Sequence, residues 1–321
     1  MSAAAPGRIL FVAANPSVDR LYSVERLTVG AIHRPLEVVA VPGGKGLNAA
    51  RAAARLGGRV TAIGIIGGRA GDWIEDRLRD RGIAARWVRT DGETRTCVSI
   101  LDRSDGATTE VYERGQPLAT GSWEELEGLV ADELRTGDVA AIPMSGSLPP
   151  GAPGDGFARI AALGRTAAAT GSREVAVLAD TYGPALEAVL AELPAVVKIN
   201  ATEATDATGL AVVDRSTAEQ AAAILRARGA RAVVITLGAA GAVVVDEAGS
   251  EFLAPPAAPG AYPVGSGDAF LAGLAVGLVR GDDLVTAAKL GRAAGIANAA
   301  RPGAGELELA DVEAILAGDG R

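Results

Sequence analysis

Ile9-Leu10-Phe11-Val12-Ala13-Ala14 is apolar at six consecutive positions and stops at Asn15-Pro16. A strand with one face in water alternates polar and apolar residues, so an unbroken apolar run of this length reads as a strand covered on both faces. Related runs recur at 61–66, 139–142, 175–179, 196–199, 233–237 and 243–245, most of them β-branched and set between glycine-rich turns. Helical stretches separate them at 46–56, 72–81, 123–135, 217–228 and 269–279. Strand alternating with helix predicts an α/β chain with crossover units, a mostly parallel central sheet and helices on both sides.

Two segments depart from that rhythm. Residues 17–42 and 86–114 carry alternating stretches, for instance Arg95, Cys97 and Ser99 against Thr96, Val98 and Ile100. They read as half-exposed strands that meet as a small discontinuous sheet, a lid on one edge of the main body. No repeat, low-complexity tract or long linker divides the chain, so residues 1–321 read as a single domain bearing that lid.

The composition narrows the function classes. With 31 Lys+Arg against 39 Asp+Glu the formal net charge is −8, a poor match to nucleic acid or an anionic membrane. Cys97 is the only cysteine and His33 the only histidine, which excludes an intrachain disulfide, a cysteine-rich zinc site and any mechanism that needs two imidazoles. Neither a membrane span nor a secretory leader is legible, and the expected setting is reducing and cytoplasmic.

The sharpest chemical signal is Val264-Gly265-Ser266-Gly267-Asp268, which runs into the apolar helix beginning Ala269-Phe270-Leu271. A glycine turn feeding a helix leaves backbone N–H groups at the positive end of the helix dipole, where phosphate oxygens can be held without a lysine. Asp268 is expected to stay ionised there, and an ionised carboxylate can take the proton of a sugar hydroxyl during phosphoryl transfer. Read alone, the same residues could simply begin a helix with Ser or Asp as its cap.

A second glycine-rich opening is Pro42-Gly43-Gly44-Lys45-Gly46-Leu47-Asn48-Ala49. Its glycines let a ligand approach the backbone, Lys45 offers a point charge and the Asn48 amide can bond sugar hydroxyls. It is no Walker A loop, because Gly46 follows Lys45, and the strand before it is too lid-like for a dinucleotide fingerprint. Only three lysines occur, Lys45, Lys198 and Lys289. Lys198 precedes Asn200 and Glu203 at the end of a buried strand, where open α/β sheets place ligands and where a carboxylate can organise magnesium-bound water. Alternatively, Lys198 points to solvent and Asn200 caps the next helix.

Taken together, these segments resemble the ribokinase-like carbohydrate kinases of the phosphofructokinase B family. The motifs run in family order along nearly the whole chain: Asn15-Pro16-Ser17-Val18-Asp19, Gly43-Gly44-Lys45-Gly46-Leu47-Asn48, Thr94-Arg95 and Ser145-Gly146-Ser147-Leu148-Pro149-Pro150-Gly151. Asp180-Thr181, Lys198-Ile199-Asn200-Ala201-Thr202-Glu203, Thr236-Leu237-Gly238 and the 264–268 turn complete the series. The resemblance implies a three-layer αβα ribokinase-like fold whose β-sheet lid often doubles as a dimer clasp. It also implies ATP and Mg2+ as cofactors, with a monovalent cation as a further candidate.

Carried across by position, Asp268 would be the general base, with Gly265, Ser266 and Gly267 as the anion hole. Asp19, Gly43, Gly44, Lys45, Asn48, Arg95 and Ser145 would hold the sugar. Lys198, Asn200, Glu203, Thr236, Gly238, Gly241 and Asn298 would line the nucleotide site, Glu203 meeting the metal through water. The chain departs from the family at Ile199, where proline is usual, which puts the rigidity of that turn in doubt.

Asn-Pro-x-x-Asp and Thr94-Arg95 look like the branch acting on phosphorylated hexoses, tagatose-6-phosphate kinase and 1-phosphofructokinase. A substrate that already bears a phosphate needs a dedicated cation, which Arg95 with Lys45 can supply. Thr109-Glu110-Val111-Tyr112-Glu113 looks closer to the tagatose-6-phosphate version. The implied reaction is ATP-dependent phosphorylation of a ketohexose phosphate to the bisphosphate. A ribokinase-type enzyme for an unphosphorylated sugar or nucleoside, and a non-enzymatic sugar-phosphate sensor, are the rival readings.

Overall fold

The computed structural model describes residues 7–170, 174–257 and 260–318, so the outermost ends of the expected single domain lie outside the described residues. Strand β1 (Arg8–Ala13) leads into β2 (Ser17–Val24) and β3 (Glu37–Gly43), then α1 (Lys45–Arg55), β4 (Arg59–Gly67), α2 (Gly68–Asp80) and β5 (Ala84–Thr90). Next come β6 (Thr96–Asp102), β7 (Thr108–Tyr112), α3 (Ser122–Leu134), β8 (Val139–Ser145), α4 (Gly156–Thr170) and β9 (Ala176–Asp180). The chain continues through α5 (Gly183–Leu190), β10 (Val196–Asn200), α6 (Ala201–Thr208), α7 (Arg215–Ala227) and β11 (Ala232–Thr236). It closes with β12 (Ala242–Val245), β13 (Ser250–Leu253), α8 (Ser266–Arg280), α9 (Leu284–Ala299) and α10 (Leu309–Gly318).

Nine strands form one sheet in the order β13-β12-β11-β10-β9-β8-β1-β4-β5. From β11 to β5 every neighbouring pair is parallel, and β12 and β13 add an antiparallel edge. The apolar run in β1 explains the layering. Ile9, Phe11 and Ala13 pack into a core with α1, α2, α8, α9 and α10 on one face, while Leu10, Val12 and Ala14 pack into a second core with α3, α4, α5 and α7 on the other. Both faces of each central strand are therefore dry, as its unbroken hydrophobicity requires. Among the described residues, no helix is long and apolar enough to cross a membrane.

A separate four-stranded sheet has the order β3-β2-β6-β7, with β2 and β6 parallel and the outer pairs antiparallel. This is the lid, drawn from two distant segments as expected. Its second segment is shorter than 86–114, however: residues 86–90 belong to β5, which pairs with β4 at the edge of the large sheet. At the sheet border Arg86 and Arg89 interrupt the apolar run beside Trp87 and Val88, which pack on opposite faces, so β5 lacks the unbroken hydrophobicity of a central strand.

Candidate functional site

Parallel strands send all their carboxyl ends to one edge of a sheet, and the turns that follow them line a common crevice. Here Asn15 after β1, Ser145 and Gly146 at the end of β8, Asn200 ending β10 and Thr236 ending β11 open onto one cavity of about 670 Å3 between the large sheet and the lid. Its far wall is Asp19 of β2, Arg95 and Cys97 beside and on β6, and Glu110 and Tyr112 of β7. A volume of this size suits a small ligand or cofactor.

The base of the cavity is the start of α8. Gly265 precedes the helix at φ +84, and a Cβ there would meet Ala304 Cα at 2.6 Å, so both conformation and space demand glycine. Gly267 and Asp268 fall in the first turn, whose N–H groups have no helix carbonyl to bond. Ser266 departs from the anticipated cradle, because its N–H already donates to Pro263 O at 3.1 Å and its hydroxyl takes a bond from Asn298 Nδ2 at 3.3 Å. The part of the 265–267 turn left for an anion is thus narrower than the sequence predicts.

Asp268 is buried, only 7% exposed, and its Oδ2 accepts a hydrogen bond from Asn48 Nδ2 at 3.0 Å. Burial pushes its pKa up to about 7, against the opposing pull of Lys45, with Asp180 adding to the rise. The sequence predicts an ionised Asp268 at the helix N-terminus; desolvation outweighs that dipole because the carboxylate is buried at the base of the cavity and not at an exposed helix end. A carboxylate tuned to neutral pH is well matched to taking and releasing a proton.

Several of the residues expected to hold the sugar gather around Asp268. The Asn48 amide also reaches Asp19 Oδ2 at 3.3 Å, and Asp19 is steadied by Ser17 Oγ at 2.6 Å and Gly44 N at 3.3 Å. Gly44, Lys45, Asn48, Arg95 and Ser145 all line the cavity. Gly43 does not; a Cβ on it would overlap the Asp19 carboxyl, so its contribution is to make room for that side chain. Ser145 Oγ is buried without a hydrogen-bond partner among the described residues. The Arg95 guanidinium donates to Asn15 O at 2.9 Å and Glu113 O at 3.2 Å, which aims it across the mouth between body and lid.

On the other side lies a charge network that sequence reasoning only partly anticipated. Lys198 points along the sheet face occupied by α8, and its Nζ donates to Asp180 Oδ2 at 2.7 Å, both side chains being buried. The same ammonium stands 3.0 Å from the place a Cβ on Gly267 would occupy, directly beside the α8 turn. Lys45 Nζ donates to Glu203 Oε1 at 2.8 Å and Asp180 Oδ1 at 3.3 Å, a different set of partners from those of Arg95. Burial opposes the Lys45 charge, yet Asp180 and Glu203 hold its pKa above the ordinary value; burial likewise works against the Asp180 carboxylate, but Lys198 and Lys45 hold it below the usual range.

Asn200, Thr236, Gly238 and Gly241 line the cavity, whereas Glu203 and Asn298 do not. Glu203 closes a capping box at the start of α6, accepting Asn200 N at 2.9 Å through Oε2 while Lys45 occupies Oε1. Asn298 is fully buried and braces the turn, donating to Val264 O at 3.0 Å and accepting Gly305 N at 2.7 Å; its neighbours Gly295, Ile296 and Ala299 face the cavity instead. Ile199 lies inside β10, paired with Ile235 and packed in the core, so sheet pairing supplies the rigidity that proline would. Missed in the sequence were the bridging position of Asp180, although its motif was noted, and Arg51 and Tyr182. Arg51 was visible as a charge set in the alanine run of α1, three residues after Asn48.

Residues 12–310 match the family described as "pfkB family carbohydrate kinase". A curated relative, "1-phosphofructokinase" of Xanthomonas campestris pv. campestris, is 37% identical over 273 residues, covering 84% of this chain and 83% of the relative. Among solved structures, phosphofructokinase-2 from Escherichia coli in complex with potassium superposes with a TM-score of 0.87 at 26% identity, over 98% of this chain and 100% of that one. A ribokinase from Thermotoga maritima, 21% identical, matches with a TM-score of 0.75 over 97% and 99% of the two chains, which places the fold in the ribokinase-like class.

Proposed function

The chain belongs to the pfkB carbohydrate kinases and is a sugar-phosphate kinase, and from that premise we propose that it transfers the γ-phosphoryl group of ATP to a free hydroxyl of a ketohexose monophosphate, fructose 1-phosphate foremost. The observation that carries this reading is the single cavity in which Asp268, bonded to Asn48 beside Asp19, adjoins the Gly267 turn and Lys198.

In the proposed reaction the sugar hydroxyl rests against Asp19, Asn48 and Asp268. Its oxygen bonds to the γ-phosphorus as the bond from that phosphorus to the β-bridging oxygen breaks, ADP leaves, and the hydroxyl proton passes to Asp268. Lys198 and the first-turn amides of α8 face the equatorial oxygens of the moving group, where charge is spread. Lys45 sits where it can exchange Glu203 for a nucleotide phosphate. Arg95, at the opposite end, receives the phosphate the sugar already carries. The 37% identity to a 1-phosphofructokinase supports a fructose phosphate over tagatose 6-phosphate.

Among the described residues no three acidic, imidazole or thiol groups converge as a metal site, and both Glu203 oxygens are engaged. Magnesium would arrive on the nucleotide phosphates, and Glu203 would hold its water once Lys45 left Oε1 for a phosphate. A potassium requirement is supported by the potassium complex of the Escherichia coli neighbour. The outer lid face carries Val38, 52% exposed and across from Tyr22, and Val111, 60% exposed and across from Val98, and we assign it to a homodimer contact. Absence of a membrane-spanning helix among the described residues accords with a cytoplasmic setting.

ADP release measured across fructose 1-phosphate, fructose 6-phosphate, tagatose 6-phosphate, fructose, ribose and adenosine tests the proposal. Turnover confined to phosphorylated ketohexoses is expected. Comparable kcat/KM on a free sugar or nucleoside overturns the substrate class, and no ADP with any of them overturns the kinase reading.

A further inference from the structure

Arg51 is one of the largest fully buried side chains among the described residues, 1% exposed, in the middle of the alanine-rich helix α1. A buried guanidinium has to spend its N–H groups on specific acceptors, and this one does. Nε donates to Pro42 O at 2.8 Å, Nη1 pairs with Glu306, and Nη2 donates to Ala304 O at 2.6 Å and to Asn48 Oδ1 at 2.8 Å. The last bond has a chemical consequence. With its oxygen claimed by a cation, the Asn48 amide must present its NH2 group to Asp268 and Asp19, on which it makes its 3.0 and 3.3 Å contacts. Turned over, the amide would offer Asp268 an oxygen, and an oxygen facing a carboxylate favours the protonated acid. Arg51 also grips Ala304, the residue against which Gly265 packs, so one side chain ties the amide to the turn that begins α8.

We infer that Arg51 is a positioning residue for phosphoryl transfer: touching neither sugar nor nucleotide, it fixes the orientation of the Asn48 amide and so keeps Asp268 in its proton-accepting form. The inference rests on the reading of Asp268 as the base. Besides the direct attraction of the Arg51 charge, Asp268 feels Lys45 on α1, Asp180 ending β9 and Lys198 on β10, and it shares the Asn48 amide with Asp19 on β2. None of them contacts the Asn48 oxygen, so Arg51 is the member of the set that controls the flip.

The experiment is the pH dependence of kcat for wild type, Arg51→Met, Arg51→Lys and the combination of each with Asn48→Ala. The acidic limb should move to higher pH by about one unit in both Arg51 variants, about a tenfold change in the proton affinity of Asp268, while KM for ATP changes less than about threefold. In the Asn48→Ala background Arg51→Lys, which keeps the buried charge, should not move the limb further, because the amide it orients is gone, whereas Arg51→Met still removes the direct attraction of its charge for Asp268. If Arg51→Met does not fold, Arg51→Lys carries the test, its shorter ammonium keeping the buried charge near Glu306 while losing Asn48. A drop in kcat with the limb unmoved, or an Arg51→Lys limb shift that persists without Asn48, overturns the inference. Full turnover by Asp268→Asn would instead overturn the base assignment, so the two failures are distinguishable.

Discussion

Lys198 Nζ lies 2.7 Å from Asp180 Oδ2 with both side chains buried, and Asp180 uses its other oxygen on Lys45. One carboxylate thus compensates two ammonium groups at the floor of the site. Removing one partner of a buried pair strands charge in a poorly solvated place, which costs far more than the pair itself contributes. Asp180→Ala should destabilise the protein by about 3 kcal/mol or more, read from urea unfolding at pH 7. A loss under about 1 kcal/mol would show that the two lysines are compensated elsewhere.

Asp268 answers to two independent measurements. Replacing its carboxyl by the amide in Asp268→Asn should lower kcat by roughly a thousandfold with KM for sugar and ATP nearly unchanged, since the group acts on the reacting hydroxyl. Steady-state kinetics with fructose 1-phosphate decides this, and near-normal turnover refutes it.

Stability of the same variant should depend on pH with a definite sign. In the folded chain Asp268 is raised to about 7 by burial, whereas an ordinary aspartate sits near 3.8. Below pH 4 both folded and unfolded states hold the proton, and wild type and Asp268→Asn should unfold alike. Between about pH 4 and about 7 only the folded state holds it, so wild type loses stability as pH rises, by up to about 1.4 kcal/mol per unit, and the amide variant does not. At pH 8 the catalytically dead variant should be the more stable one. Parallel stability curves from pH 4 to 8 would contradict the buried-acid assignment.

Arg95 is expected to separate phosphorylated from free sugars. Arg95→Ala should raise KM for fructose 1-phosphate by about tenfold or more while kcat/KM for free fructose, however low, stays put. Arg95→Lys should rescue poorly, because a single ammonium cannot span the Asn15 and Glu113 carbonyls and a phosphate together. Equal losses on both sugars would mean that the side chain only braces the lid.

The outer face of the lid invites a test in solution. Val38→Lys combined with Val111→Lys places charges across that sheet and should convert the protein to monomer in sedimentation velocity at micromolar concentration. An unchanged sedimentation coefficient would locate any self-association elsewhere.

Layering could be read directly from residues such as Ile9 and Leu10, because a strand buried on both faces must be apolar at every position. The glycine turns before α1 and α8 were legible for a similar reason: a positive φ at Gly44 and Gly265 is a demand that few other residues meet. Helix α9 left no comparable mark, since its alanine and glycine residues are buried nearly all round and show no amphipathic period. Strand β5 reads as part of the lid because Arg86 and Arg89 interrupt its apolar run, and such an interruption does not say which sheet owns the strand.

Sequence alone determined which residue types could gather at the strand ends, since backbone periodicity and turn geometry are local properties of the chain. What only the tertiary structure decided was the protonation and orientation of the groups brought together there. Asp268 is lifted by desolvation, Asn48 is turned by an arginine that binds no ligand, and Lys45 is drawn toward Asp180 and Glu203, residues 135 and 158 positions away. Burial and pairing across such separations depend on how the layers close over one another, and no local pattern encodes that.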